Sequence, residues 1–245
     1  MARGLGHAAR VSEACDHEAI LTAARSRRTA LRSRAIDDAY RDPHTEELLA
    51  QMLDESDDLV FAKPVIAARL GDCAGAHGDA ALRRAIRVSG PGSRDVRCAS
   101  LLALAKRIGP LATPDLVDGL TTPDGVVKDY AVHGLAGAGD DRAFEQVLRH
   151  LRSVLRRKRP SQSQVVASAL SYLARHVSDR ARRSDLVAFV RRHWDALDQA
   201  EWFAELWPDA APGGPDPDEV RAPSDAAIQE WVRRGLFGPL PPPPP

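Results

Sequence analysis

One pattern of apolar and small residues returns at near-constant spacing, and that spacing limits what the chain can fold into. The segments Ala62–Gly71, Val96–Ala105 and Val127–Ala136 align, with apolar or small residues at relative positions 0, 3, 4 and 8. That spacing marks one face of a helix. Position 1 is basic in all three (Lys63, Arg97, Lys128). A fourth copy runs from Gln162 to Ser171, with Val165, Val166, Ala169 and Leu170 in phase. The starts at 62, 96, 127 and 162 are 31–35 residues apart, the length of a two-helix unit. Such a pair has too little apolar surface to fold alone, so the pairs must stack and share one core.

The intervening segments supply the partner helices. Thr45-Glu46-Glu47-Leu48-Leu49 opens one, and Asp79–Val88 carries Leu82, Ala85 and Ile86 on one face. Thr113-Pro114 reads as a capping Thr with Pro at the first helical position. Asp141–Arg157 and a helix from Ser184 follow, then a short helix over Gln199–Leu206. Gly71, Gly109 and Gly139 stand where the second helix of each pair should end. Aromatics are only 5% of the chain, Ile and Thr are scarce, and no run alternates convincingly, so the expected class is all-α.

The sequence divides into residues 1–41, an N-terminal helical cap; 42–207, the stacked pairs; and 208–245, a Pro-rich tail. Within the tail, Pro208–Pro217 reads as a linker, 224–235 as a short amphipathic helix, and Pro241–Pro245 as a polyproline II stub. Ile228, Trp231, Val232, Leu236 and Phe237 form its apolar face, which is expected to dock on the chain or on a partner.

The pattern Val-Arg…Ala…Ala-Leu-Ala…Gly in Val96–Gly109, echoed in Val127–Gly139, resembles bacterial HEAT repeats, including the HEAT-like repeats of the phycobilisome-lyase group. The first copy departs from it at Pro64 and Arg69. The resemblance covers about Thr45–Arg175. It implies a right-handed α-solenoid of about four to five HEAT-like hairpins, whose second helices line a concave face. Relative positions 1, 2, 5 and 6 are then expected to meet a partner there: Arg97, Cys98, Leu101 and Leu102 in one repeat, and Lys128, Asp129, Val132 and His133 in the next.

No complete catalytic set is legible. Gly4-Leu5-Gly6 follows no strand, Gly90-Pro91-Gly92-Ser93 lacks a phosphate-loop Lys, and no nucleophile elbow occurs. His44 and Glu47 have a metal-ligand spacing but no second His one turn on, so no metal and no cofactor is expected. Asp129 and His133 share a helix face as i and i+4. Cys15, Cys73 and Cys98 are far apart, and no apolar run approaches the length of a membrane span. The expected location is the cytoplasm, with no membrane partner.

Charge is uneven although Lys+Arg and Asp+Glu are both 34. Asp42–Val60 carries acids and no Lys or Arg, while 142–193 is strongly basic, with Arg149, Arg152, Arg156, Arg157, Lys158 and Arg159 in one run. The first functional expectation is a non-enzymatic protein–protein interaction module, similar to HEAT-like adaptors, regulators or toxin-neutralising partners. The alternative is nucleic-acid binding through 142–193, in the manner of HEAT-like alkylpurine-DNA glycosylases. A chromophore lyase, by analogy with the phycobilisome group, is a third. The basic run can also meet the acidic tail of its own chain.

Overall fold

The computed structural model describes residues 17–26, 28–42, 44–54, 62–156, 163–177, 179–197 and 200–234. Its regular structure is entirely helical: α1 (His17–Ala24), α2 (Thr29–Arg41), α3 (Thr45–Asp54), α4 (Lys63–Leu70), α5 (His77–Arg87), α6 (Ser93–Ile108), α7 (Thr113–Thr121), α8 (Gly125–Ala138), α9 (Phe144–Arg156), α10 (Ser163–Arg175), α11 (Arg180–Arg192), α12 (Ala200–Leu206) and α13 (Asp225–Arg234). The aligned segments form α4, α6, α8 and α10, which pack in that order, α4 on α6, α6 on α8 and α8 on α10. Each is also covered by the helix before it in the chain, α3 on α4, α5 on α6, α7 on α8 and α9 on α10. The N-terminal cap is the pair α1–α2, which leans on α3.

Local chemistry sets several of the ends. Asp124 caps α8, its carboxylate accepting from Val126 N and Val127 N. Gly71, Gly109 and Gly139 do sit at the C-caps of α4, α6 and α8, and Gly109 has φ +56°. Thr113 does not cap α7. Its hydroxyl instead accepts from Asp140 N at 3.1 Å, tying the start of α7 to the loop after α8. The helix expected from Ser184 begins at Arg180, capped by Asp179.

The buried stripe differs from the expected 0, 3, 4, 8. Ile66, Ala67 and Leu70, then Ser100, Leu101 and Leu104, then Ala131, Val132 and Leu135 all have 0% exposure. These are positions 4, 5 and 8; position 0 is buried as expected at Ala62, Val96 and Val127, so only position 3 is replaced, by position 5. Position 3 faces outward at Val65 (49% exposed) and Tyr130 (36%). At 100° per residue the stripe is turned by about 50°. In α10, the same spacing is met by Val165, Ala169, Leu170 and Leu173, all buried, so the fourth copy starts at 165 rather than 162. The cause is the number of neighbours. A helix flanked on both sides and covered by a third element buries more than one narrow face.

Small residues set the distance between rows. A Cβ on Gly71 would lie 3.0 Å from Ala103 Cβ, and one on Gly119 would lie 3.0 Å from Ala131 Cβ. One on Gly134 would reach 2.6 Å from Leu116 Cδ2. Nothing larger than hydrogen fits at these crossings without movement.

Ion pairs join each repeat to the next. Arg84 meets Asp54 at 2.6 Å, Arg83 meets Asp115 at 3.1 Å, Arg94 meets Asp124 at 2.8 Å, and Lys106 pairs with Asp72. Their sequence separations are 30, 32, 30 and 34 residues, the spacing of the repeat itself. Exposed pairs of this kind contribute about 0–1 kcal/mol each. Arg107 is different, with its side chain 4% exposed. It donates to Glu46 Oε1 at 2.8 Å, Asp79 Oδ1 at 2.7 Å, Leu70 O at 2.8 Å, Gly75 O at 2.9 Å and Cys73 O. Glu46 Oε1 also accepts from Gly78 N at 2.6 Å.

The segment expected to be a linker is packed. Arg191 donates to Asp209 O, Ala211 O and Pro215 O, Arg183 to Val220 O, and Trp207 Nε1 to Arg221 O. Ala210 and Val220 are buried beneath it, and α13 then lies on α10 and α12. The basic surface does engage the tail, Arg183 and Arg191 holding its backbone carbonyls.

Replacing Ala103 by Leu drives three extra carbons toward Gly71. The expected cost is about 1–3 kcal/mol in urea unfolding. An unchanged midpoint would show that the α4–α6 crossing is not placed as described.

Candidate functional site

The eight residues expected on a partner face separate into three groups. Cys98, Leu101, Val132 and His133 are buried, which corrects the expectation for these four. They lie on the stripe that packs against neighbouring helices. Arg97 is half-buried and committed, Nε donating to Ile86 O at 2.9 Å and Nη2 to Thr122 Oγ1 at 3.2 Å. It joins the end of α5 to the end of α7. Leu102, Lys128 and Asp129 remain half-exposed.

A polar cluster joins α8 to its neighbours. His133 Nδ1 lies 2.8 Å from Ser168 Oγ on α10, and Tyr130 meets the His133 ring edge-on at 5.8 Å between centroids. Asp129 Oδ1 lies 3.0 Å from His150 Nε2 on α9. Burial pulls the His133 pKa down to about 4, against a smaller upward pull from Asp129. At neutral pH His133 is therefore an uncharged imidazole. A Ser–His contact is half of a nucleophile–base arrangement, but a base this weak takes a proton poorly at neutral pH. The carboxylate on the same helix bonds His150 rather than orienting His133. The contacts work as polar joints, α8 to α10 and α8 to α9. Ser168 and His150 carried no motif in the sequence, since their partners sit 35 and 21 residues away.

The two described thiols, Cys73 and Cys98, are held in the protonated, weakly nucleophilic form by the same logic. Burial pushes Cys98 up to about 12 and raises Cys73, which donates to Arg69 O. Near Cys73 a cleft of about 600 Å³ is lined by His44, Glu46, Glu47, Asp72 and His77 among others. Among the described residues no three His, Cys, Asp or Glu are placed to hold a metal ion. No described helix is long and apolar enough to cross a membrane.

In the basic run, Arg149, Arg152 and Arg156 are exposed on α9, and Arg157, Lys158 and Arg159 lie outside the described residues. In the tail, Ile228 is half-buried on α13, which also includes Trp231 and Val232; Leu236 and Phe237 lie outside the described residues. No protein-family model, no curated protein and no solved structure matches the chain.

One buried and one half-buried histidine set an expected acid response. His133 and His176 both have pKa values lowered by burial, so the unfolded chain binds more protons as pH falls below the ordinary histidine value. Their neutral forms fit the fold fully above about pH 6.5, and that stability is lost as pH falls below it, for His133 down to about 4. For His133 the loss is about 3 kcal/mol. His133→Gln should flatten the decline between pH 6.5 and 4 in urea unfolding. A variant that declines as steeply as the parent would remove His133 from this role.

Proposed function

We propose that the chain is a non-enzymatic protein-binding module, a right-handed α-solenoid of HEAT-like hairpins in which α4, α6, α8 and α10 form the inner row. The repeat-length ion pairs support the solenoid reading, because each residue meets its counterpart one unit along. The observation that carries binding is the outward-facing position 3. It leaves Val65 exposed on α4 and Tyr130 on α8, with half-exposed Leu102, from position 6, on α6 between them. Large apolar side chains repeated along one row give a partner area to bury, and half-exposed Lys128 adds a charge at its side. This is the partner face carried round the helix in the same sense as the buried stripe, on the geometry of a helix. Its setting is the cytoplasm and its role that of an adaptor or regulator.

The double variant Val65→Glu/Tyr130→Glu should fold normally and lose a protein recovered in near-stoichiometric amount by the parent chain from native lysate. Equal recovery by parent and variant, or none by the parent, would contradict the reading.

A further inference from the structure

Many guanidiniums among the described residues are already occupied. Arg83, Arg84, Arg94, Arg107 and Arg142 hold carboxylates, and Arg97, Arg175, Arg183 and Arg191 hold backbone carbonyls. The outer face of α9 gathers three that are not. Arg149, Arg152 and Arg156 are exposed there, and none makes an ion pair among the described residues. The carboxylate positions one repeat on are Asp179, which caps α11, and Asp185, which is exposed and pairs with none of them. The sequence of cross-repeat pairs, Asp54–Arg84 and Arg83–Asp115, therefore stops at α9 with its cationic half presented and no acidic half opposite.

The three residues are spaced i, i+3 and i+7, which places them on one face over about 10 Å of helix. Arg152 lies against the Phe189 ring, its guanidinium carbon 5.5 Å from the centroid, which supports the side chain and leaves its fork available. Glu145 shares this face one turn earlier and is exposed, so the face remains net cationic. No exposed aromatic stands on α9, whose Phe144 is buried, so there is no platform on which a nucleic-acid base could stack. The chain's net charge of zero also supplies no general attraction for a duplex. Carboxylates on a helix, three and four residues apart, match the spacing of the three forks.

We propose that the outer face of α9 docks an acidic helix of a partner protein through Arg149, Arg152 and Arg156. This rests on the protein-binding reading above but uses a different face, so the two fail separately. The probe is a fluorescein-labelled 16-residue helical peptide of Glu and Ala, with Glu at i, i+3 and i+7, followed by anisotropy at low and high salt. The parent chain should bind it, more weakly as salt rises. The triple variant Arg149→Gln/Arg152→Gln/Arg156→Gln should bind about tenfold or more weakly, given the usual size of exposed charge pairs. Arg149→Gln/Arg156→Gln, which leaves the Phe189 contact in place, should lose about fivefold on the same basis. Arg28→Gln/Arg87→Gln removes charge elsewhere and should change nothing. Val65→Glu/Tyr130→Glu should also keep the peptide. Retained binding by both α9 variants, an equal loss in the Arg28/Arg87 variant, or tighter binding of a 20-base-pair duplex than of the peptide at equal salt would each overturn the proposal.

Discussion

A buried guanidinium stands where three segments meet. Arg107, near the end of α6, reaches back to the carbonyl of Leu70 at the end of α4, to those of Cys73 and Gly75 beyond it, to Asp79 in α5 and to Glu46 in α3. These partners come from two successive repeats, so the contact forms only when both are in register. Burying a charge is costly unless its hydrogen-bonding capacity is met, and here several acceptors surround it. Such a group need not add more stability than an apolar residue would. It does penalise every other alignment of α6 against α4, because a slip by one turn takes the buried charge away from its acceptors. Arg175 repeats part of the arrangement two units on, donating to Leu135 O and Gly139 O at the end of α8.

From that register the rest follows in sequence. With α6 fixed against α4, Ala103 is set against Gly71, and the rows come close enough to seal the core at positions 4, 5 and 8. Position 3 is thereby turned outward. The same rotation removes Cys98, Leu101, Val132 and His133 from any partner and delivers Val65 and Tyr130 to the surface. The choice of register and the choice of accessible face are one event.

The repeat was legible because its apolar residues recur at a period that needs no tertiary information. The helix class and the places where Gly71, Gly109 and Gly139 end helices were legible for the same reason. The rotation was not. Positions 3 and 5 are apolar or small in every aligned copy (Val65 and Ala67, Ala99 and Leu101, Tyr130 and Val132), so the pattern alone cannot rank them. The Pro- and Gly-rich stretch after Trp207 has the composition of a linker, yet Arg183 and Arg191 hold its carbonyls. Composition reports backbone preference and cannot register a donor 18 or more residues upstream. Arg107, Ser168 and His150 were invisible as sites for the same reason, each being defined by partners far away in the chain.

The central claim is that Arg107 and the carboxylates around it act as one unit that fixes the register between repeats. A double-mutant cycle on Arg107→Ala and Glu46→Gln, read by urea unfolding, tests it most directly. Arg107→Ala alone should cost about 3–5 kcal/mol, as expected when one partner of a buried ion pair is removed. The double variant should lose clearly less than the sum of the two singles, by about 1 kcal/mol or more. Strict additivity would contradict the account.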